Sequence, residues 1–369
     1  MGKTPHRTLF FEGLGCKVRL SCILRQAQAG TMLGKKLGVD LGTINTLIWE
    51  AGQIVLQEPS LVAIQVEDEA RGLIKAIETG QPVREMLGKV DSEDIQIIRP
   101  VQNGVIADFE VTVKMLEYYL GKVTGRIRLF KPTAMISVPY GANSVERRAV
   151  YEAAGVAGVR EVLTIPAPLA AAIGAGLPIA TPAGDMIVTI GGGITEAAVL
   201  SMSAIVKAES GRVGGLRLDE AIISYVRRKY QLNIGQPTAE SVKIQVGAAI
   251  QTPNPLAMDI QGRDARTGLP RAERITTNEV VEALAETLGQ IAQVVKNVLS
   301  TTPPELASDI IDRGIVLTGG GALLRGIDQY LTMQTSVPVY RAENPQIAVA
   351  TGAGRALEDS SLQRRVVQN

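Results

Sequence analysis

The sequence predicts an α/β fold in which two lobes are built on the same plan. The first observation is length, because 369 residues exceed one ordinary hydrophobic core. The second is the hydrophobic pattern, since strand-like apolar runs alternate with segments of helical period from Leu33 onward. The third is a pair of glycine-rich turns, about half a chain apart, each between two strand-like runs. No low-complexity linker separates the halves, so we expect interleaved lobes rather than lobes in series.

Composition narrows the class of protein. Hydrophobic residues make up 46% and charged residues 20%, which is typical of a folded rather than a disordered chain. The formal net charge of +1 argues against a nucleic-acid partner. The single histidine, His6, leaves no histidine for a catalytic triad or metal site in the core. Cys16 and Cys22 lack zinc or thioredoxin spacing, so a reducing cytoplasm is expected. No apolar run approaches the ~18 residues that span a bilayer.

Residues 1–31 differ from the rest of the chain. Five basic residues face a single acidic one, Glu12, and apolar residues are mixed among them. No apolar core precedes a small-residue cleavage site, so the segment does not fit a signal peptide. One interpretation is an amphipathic segment on a membrane surface. The other is a disordered extension upstream of the true start, because Met32 directly precedes the first strand-like run. The sequence leaves both open.

Two helices are predicted with their N-terminal caps. The 3-4-3-4-3 spacing of six apolar residues places them on one helical face with Asn278 or Thr277 as N-cap. These residues are Val281, Leu284, Leu288, Ile291, Val295 and Val298. Asn143 followed by Glu146 has the spacing of a capping box and predicts a second helix.

The two glycine-rich turns are candidate phosphate clips. The first clip, residues 37–48, contains Asp40, Gly42, Thr43 and Asn45, and the second, residues 186–197, contains three glycines at 191–193. Glycine lets backbone N–H groups approach a phosphate closely, and hydroxyls add donors. A carboxylate such as Asp40 could hold Mg²⁺, directly or through water. One such turn alone is more often a plain hairpin. Two related turns favour a duplicated fold with a nucleotide between its halves.

A third glycine-rich turn, residues 317–324, follows another strand-like run, and its bare backbone could support an adenine base. None of the three turns is a Walker loop, because Gly-Lys-Ser/Thr is missing.

A series of motifs, in order, resembles the MreB family of bacterial actin homologues over residues 33–358. The motifs are GVDLGTINT, NGVIADFEVT, AAAIGAGLPI, IGGGITE, RVGG, TAESVK, GRDARTGLP and TGGGALLRG. The resemblance implies an actin-like, duplicated ribonuclease-H-like fold with two lobes, four subdomains and a nucleotide cleft. Lobe I would comprise 32–175 plus 345–369, with an outer subdomain at roughly 62–104. Lobe II would comprise 176–344, with an outer subdomain at roughly 213–274.

The resemblance also implies a site for ATP or ADP with Mg²⁺, the metal held by Asp40 through water. The implied nucleotide-binding residues are Asp40, Gly42, Thr43, Ile44, Asn45, Gly191, Gly192, Gly193, Ile194, Thr195, Gly215, Asp219, Glu240, Ser241, Val242, Lys243, Gly319, Gly320, Gly321, Ala322 and Leu323. For Glu240 and Lys243, the i, i+3 spacing fits a solvated helix face equally well.

Several polar positions of the family pattern are replaced here. Ala167 stands where the family usually has the glutamate that positions the attacking water, Thr189 replaces an aspartate, Ile194 replaces a threonine and Leu216 replaces another aspartate. A methyl group neither accepts a proton nor orients water, and losing that function lowers a rate by on the order of 10²–10⁴-fold. Whether the chain is an enzyme stays open. The expectation is that the chain binds ATP and hydrolyses it weakly or not at all. The alternative expectation is that the site binds no nucleotide.

The family resemblance further implies a cytoskeletal filament on the inner face of the cell membrane that guides cell shape and cell-wall synthesis. Leu129 and Phe130 match a loop that enters the membrane, although a loop tucked into the core is the alternative. Implied partners are the chain itself, the inner membrane surface and the elongation proteins RodZ, MreC and MreD. One alternative is a non-polymerising pseudo-ATPase scaffold. Another is a small-molecule kinase, although no substrate carboxylate is recognisable near the second clip of this sequence. A chaperone would need a C-terminal peptide-binding domain.

Overall fold

The structure is a computed structural model that describes residues 34–68, 73–89, 95–125 and 130–366. The predicted N-terminal extension, residues 1–31, and Leu129 lie outside these ranges. Within them, no helix combines the length and the apolar character needed to cross a membrane.

The described residues form eighteen strands and eleven α-helices. The strands are β1 (Lys36–Leu41), β2 (Asn45–Glu50), β3 (Gln53–Pro59), β4 (Val62–Asp68), β5 (Leu73–Thr79), β6 (Ile95–Ile98), β7 (Val101–Gln102), β8 (Val105–Ile106), β9 (Thr133–Val138), β10 (Glu161–Pro166), β11 (Asp185–Ile190), β12 (Thr195–Ser201), β13 (Ala204–Gly211), β14 (Leu232–Asn233), β15 (Ala257–Asp264), β16 (Pro270–Thr276), β17 (Ile315–Thr318) and β18 (Val339–Arg341). The helices are α1 (Gln81–Met86), α2 (Phe109–Thr124), α3 (Ser144–Val156), α4 (Ala167–Gly174), α5 (Gly215–Tyr230), α6 (Gln236–Gln245), α7 (Thr277–Thr301), α8 (Pro304–Arg313), α9 (Ile327–Thr335), α10 (Ala348–Glu358) and α11 (Ser360–Val366).

Two five-stranded sheets share one topology. The first has the order β10-β9-β1-β2-β3 and the second the order β13-β12-β11-β17-β18. In each sheet a three-stranded antiparallel meander is extended by two parallel strands, which pair beside the first strand of the meander. Parallel neighbours need crossover connections, and α2 and α3 supply them in the first sheet. The repeated topology confirms the predicted duplicated α/β fold.

Helices α4 and α10 connect the hydrophobic cores of the two sheets. One apolar cluster contains Met135 of the first sheet, Ile187 of the second and most of α4, together with Val349 of α10. The two helices approach backbone to backbone, since a Cβ built on Gly352 would lie 1.7 Å from the carbonyl oxygen of Ala170. A side chain there would separate the helices, so this layer requires glycine.

Two smaller sheets lie outside this core. The first outer unit, as we call it, consists of the sheet β5-β4-β6 with α1, and the second consists of the sheet β14-β15-β16 with α6. Their correspondence to the outer subdomains at roughly 62–104 and 213–274 stays a prediction, as do the limits of the two lobes.

The predicted helices are present, with one difference at a cap. Helix α7 begins after Thr276, whose capping box with Glu279 replaces the predicted cap at Asn278 or Thr277. The Asn278 side chain instead bonds the backbone of Thr252. With this earlier start, Val280 is fully buried and Val281 is only half-buried. The capping box of Asn143 with Glu146 forms as predicted.

Candidate functional site

A cavity of about 390 Å³ lies where the two clips, α5, α6 and the third glycine turn meet. This volume is in the range of small-molecule sites, which are usually about 300–1,000 Å³. Most of the sequence-predicted nucleotide residues line it: Asp40, Gly42, Thr43, Ile44, Asn45, Gly191, Gly192, Gly193, Ile194, Gly215, Asp219, Glu240, Lys243, Gly319, Gly320, Gly321 and Leu323.

Four predicted residues are placed away from the cavity wall. Thr195 is fully buried and its hydroxyl donates to the carbonyl oxygen of Val213 at 2.8 Å. Val242 and Ala322 belong to the apolar core of the second sheet, and Ser241 is half-buried without lining the cavity. The motif matches run through consecutive residues, whereas a strand or helix presents only some of them to one side.

The first clip is the turn between β1 and β2, and it is held from behind by Ser60. The backbone N–H of Ser60 donates to the carbonyl of Ile44 at 2.8 Å, and its hydroxyl donates to the carbonyl of Gly42 at 2.7 Å. The hydroxyl of Thr43 accepts from the N–H of Gly104 at 3.1 Å. These contacts fix the turn beside the cavity and occupy two of its carbonyl oxygens.

The second clip, between β11 and β12, is closed and backed by helix α5. The N–H of Gly191 donates to the carbonyl of Ile194 at 2.8 Å. The carbonyls of Gly191 and Gly192 accept from the N–H groups of Gly215 and Leu216 at 2.9 and 2.8 Å. The clip therefore satisfies N–H groups that the first turn of a helix would otherwise leave unpaired. Its carbonyl oxygens are engaged with the helix.

The two clips touch each other, so the predicted facing arrangement is present. A Cβ built on Gly192 would lie 2.1 Å from Cγ1 of Ile44, and one on Gly193 would lie 2.7 Å from the Thr43 hydroxyl. Only glycine fits at such an approach. The glycines are thus explained by contact between the halves of the fold as well as by access to a ligand.

A half-buried carboxyl group in the cavity wall supports the suggestion of a metal at Asp40. The Ser137 hydroxyl donates to Oδ1 of Asp40 at 2.8 Å. Burial raises the pKa of Asp40 to about 6, although the Ser137 hydrogen bond lowers it. A cation bound beside Asp40 would favour the ionised carboxylate and so lower this pKa.

Sequence reasoning missed Glu196, a second carboxyl group in the cavity wall. It is 2% exposed, and its Oε1 accepts from the N–H of Tyr140 at 2.6 Å. Burial raises its pKa to about 8, and the negative charge of Asp40 contributes. Glu196 is the one charged residue of β12, a strand buried along its whole length, and this pattern was the available signal. Mg²⁺ commonly uses one or two carboxylates with waters and phosphates, so Asp40 and Glu196 fit it.

Three of the four positions that depart from the family pattern, all except Leu216, also line the cavity. Ala167 begins α4 and is 8% exposed. The hydroxyl of Thr189 is bonded to that of Thr318 at 2.8 Å, inside the core. Ile194 lies against Gly104, where a Cβ would be 3.0 Å from its Cδ1. The wall is therefore apolar or already hydrogen-bonded at these positions, and offers no free group there to hold an attacking water.

The side of the cavity that helix α6 lines carries paired charges. Nζ of Lys243 lies 2.7 Å from Oδ1 of the buried Asp219 and donates to the carbonyl of Gly215 at 3.0 Å. Burial raises the pKa of Asp219, while the charge of Lys243 lowers it. Glu240 accepts from Arg84 at 3.0 Å. Both α6 residues are thus paired and largely covered, unlike the solvated helix face that the spacing alone allowed.

Across the described ranges, no cluster of three or more potential metal ligands occurs.

Comparison with known proteins gives consistent results. A sequence model described as MreB/Mbl protein matches residues 34–365. Cell shape-determining protein MreB of Escherichia coli (strain K12) is 48% identical over 329 residues, which cover 89% of this chain and 94% of the relative. Cell shape-determining protein Mbl of Bacillus subtilis (strain 168) is 44% identical over 329 residues, covering 89% and 97%.

Solved structures show the same fold. MreB5 of Spiroplasma citri, in a crystal structure with AMPPNP, matches with a TM-score of 0.82 and 33% identity, covering 90% of this chain and 98% of that one. Its ADP-bound structure gives a TM-score of 0.83 over the same shares. A MamK double helical filament structure matches at a TM-score of 0.72 and 23% identity, covering 88% and 99%, and supports the fold alone.

Proposed function

Because this chain belongs to the MreB/Mbl family, we propose that it is a cytoskeletal protein of actin-like fold that binds ATP and forms membrane-associated filaments guiding cell shape and cell-wall synthesis. The observation that carries nucleotide binding is the meeting of two glycine clips at a cavity of about 390 Å³. The clips' carbonyls at Gly42, Ile44, Gly191 and Gly192 are already hydrogen-bonded behind the turns. N–H groups at the clips are therefore the polar groups suited to phosphate.

The nucleotide would lie with its phosphates at the clips and its base against the third glycine turn. Gly320 and Gly321, which line the cavity, would offer bare backbone to the base, and Lys243 and Glu240 would lie beside the sugar. Asp40 and Glu196 would hold Mg²⁺, which supplies positive charge to the phosphates when bound. MreB5 of Spiroplasma citri, 33% identical to this chain, has been solved with ADP and with AMPPNP, which supports binding of an adenine nucleotide.

We also propose that hydrolysis is weak or absent. Ala167, Thr189 and Ile194 supply no group that is free to orient or deprotonate a water at the cavity wall. Titration with a fluorescent ATP analogue should therefore show saturable binding, and a steady-state assay should show little phosphate release. An ATPase rate equal to that of an active family member would refute this proposal.

Filament formation and membrane attachment are further parts of the proposed function. Phe130 is 54% exposed, which suits insertion into a membrane better than burial in the core, and it follows Leu129 directly in sequence. The expected partners are other copies of the chain, the inner membrane surface and the elongation proteins RodZ, MreC and MreD. Negative-stain electron microscopy with and without ATP tests assembly directly.

A non-polymerising scaffold with an inactive nucleotide pocket is the second candidate. The observation that favours it is the combined loss of polar groups at Ala167, Thr189 and Ile194. Absence of filaments under every nucleotide condition, with nucleotide binding retained, would select this alternative.

A further inference from the structure

Two arginines, one in the first outer unit and one directly after its strand β6, reach helix α6 beside the cavity. Arg84 of α1 donates from Nη2 to Oε2 of Glu240 at 3.0 Å. Arg99, which follows β6, donates from Nη2 to Oε1 of Gln236 at 3.3 Å. Glu240 itself lines the cavity. The two contacts link segments separated by 156 and 137 residues, so they join parts of the fold that the chain does not hold together locally.

The charges around these contacts are complementary. Burial lowers the pKa of Arg99, whereas the negative charges of Glu240 and Asp219 raise it and the neighbouring Arg84 lowers it. Asp219 is in turn paired with Lys243 at 2.7 Å, and Gln236 donates to it at 3.5 Å. Gln236 thus bonds both Arg99 and Asp219, and the acidic residues Glu240 of α6 and Asp219 of α5 supply negative charge near the arginines.

We propose that Arg84 and Arg99 form an arginine latch that holds the first outer unit against α6 and thereby slows nucleotide release. A ligand leaving between these elements must separate α1 and β6 from α6, which breaks both contacts. Arg84 also fixes the carboxylate of Glu240 toward the sugar side, so it is a positioning residue. The effect on nucleotide release rests on the proposed function, because it requires that a nucleotide binds in the cavity.

The expected magnitude follows from exposure. The side chains of Arg84 and Glu240 are 38% and 22% exposed, so the pair is partly screened by water. Such pairs change an equilibrium by about two- to fivefold. We expect Arg84→Ala to accelerate dissociation of a fluorescent ADP analogue by about two- to fivefold with little change in association, as is usual for contacts broken on release. The double variant Arg84→Ala/Arg99→Ala should dissociate faster still.

Two further measurements separate a latch from general loosening. The dissociation rate of the parent should rise with salt, because salt screens the pair, and this rise should be smaller in Arg84→Ala. Arg84→Lys should restore part of the slow release. The matched control is Arg148→Ala, which removes an arginine–glutamate pair at 2.7 Å within α3, with 79% and 50% exposed side chains. Its dissociation rate should equal that of the parent.

A distance measurement tests the latch without nucleotide. Spin labels at Glu85→Cys and Gln245→Cys, with Cys16 and Cys22 replaced by serine, report the separation of α1 and α6. In double electron–electron resonance, Arg84→Ala/Arg99→Ala should give a longer or broader distance distribution than the parent. Superimposable distributions overturn the latch, and so does an unchanged dissociation rate in Arg84→Ala. If the parent binds no nucleotide, the proposed function fails and the spin-label distances decide the latch alone.

Discussion

The crossing of α4 and α10 allows a sharp test of how the two sheets are held together. A Cβ at Gly352 would lie 1.7 Å from the carbonyl oxygen of Ala170 and 2.8 Å from the nitrogen of Gly174. Ordinary contact begins near 3.4 Å, so the helix backbones must move apart by about 1.7 Å. Overpacking of this kind costs about 1–3 kcal/mol or more. The gain in helix propensity from Gly to Ala is at most about 1 kcal/mol. Because the clash is with backbone atoms, the upper end of this cost applies, and Gly352→Ala should destabilise the fold by about 2 kcal/mol or more.

The chain supplies its own control and its own reporter. Gly289, in α7, is exposed, and a Cβ added there would have no atom within 4 Å, so Gly289→Ala should stabilise by about 0.5–1 kcal/mol. Trp49, the single tryptophan, is 2% exposed and lies against Gly354 of α10, so its fluorescence follows this crossing in urea. Equal or higher stability of Gly352→Ala would refute the close helix contact.

Three further outcomes are expected. The double variant Ala167→Glu/Ile194→Thr should release phosphate at least about tenfold faster in a single turnover, since a positioned carboxylate raises a rate by about 10²–10⁴-fold in favourable cases. An unchanged rate would show that these positions do not limit hydrolysis. Burial raises the pKa of Glu196 to about 8 from 4.5, so the folded state binds this proton more tightly and stability falls as pH rises between those values. Glu196→Gln should remove that fall in thermal midpoints of the nucleotide-free protein, and an identical pH slope would contradict it. Phe130→Ser should lower liposome flotation about tenfold or more, because burying a Phe side chain contributes about 1.5–3 kcal/mol. The control Tyr340→Ser should not lower it, although Tyr340 is 56% exposed and Phe130 54%. Equal losses in the two variants would argue against specific insertion of Phe130.

Local chemistry explains what the sequence could predict. The clips at Gly42 and Gly192 are recognisable because a turn between two β runs needs particular residues, and the capping box at Asn143 depends on neighbours three positions away. The period of helix α7 predicts the helix itself, yet its cap lies at Thr276 because the side chains of Asn278 and Thr277 bond a distant loop. Such a tertiary contact leaves no local pattern.

The site was predictable only in part for the same reason. Glu196 shares a strand with the second clip, but its burial depends on β11 and β13 packing beside it and on the N–H of Tyr140. The pairing of Arg84 with Glu240 joins residues 156 positions apart. The motif matches run through consecutive residues such as Thr195 and Val242, whose side chains the strand and the helix place in the core. Side-chain direction and long-range pairing come from the assembled fold.

A single-turnover experiment tests most directly whether the protein binds ATP without hydrolysing it efficiently. The protein, in excess over ATP labelled in its γ-phosphate and with Mg²⁺ present, is quenched over time beside the Ala167→Glu/Ile194→Thr variant. We expect the parent to bind the ATP and to leave it intact while the variant releases phosphate. Bound ATP cleaved by the parent as fast as by the variant, or no bound ATP at all, would contradict a nucleotide-binding family member that has lost efficient hydrolysis.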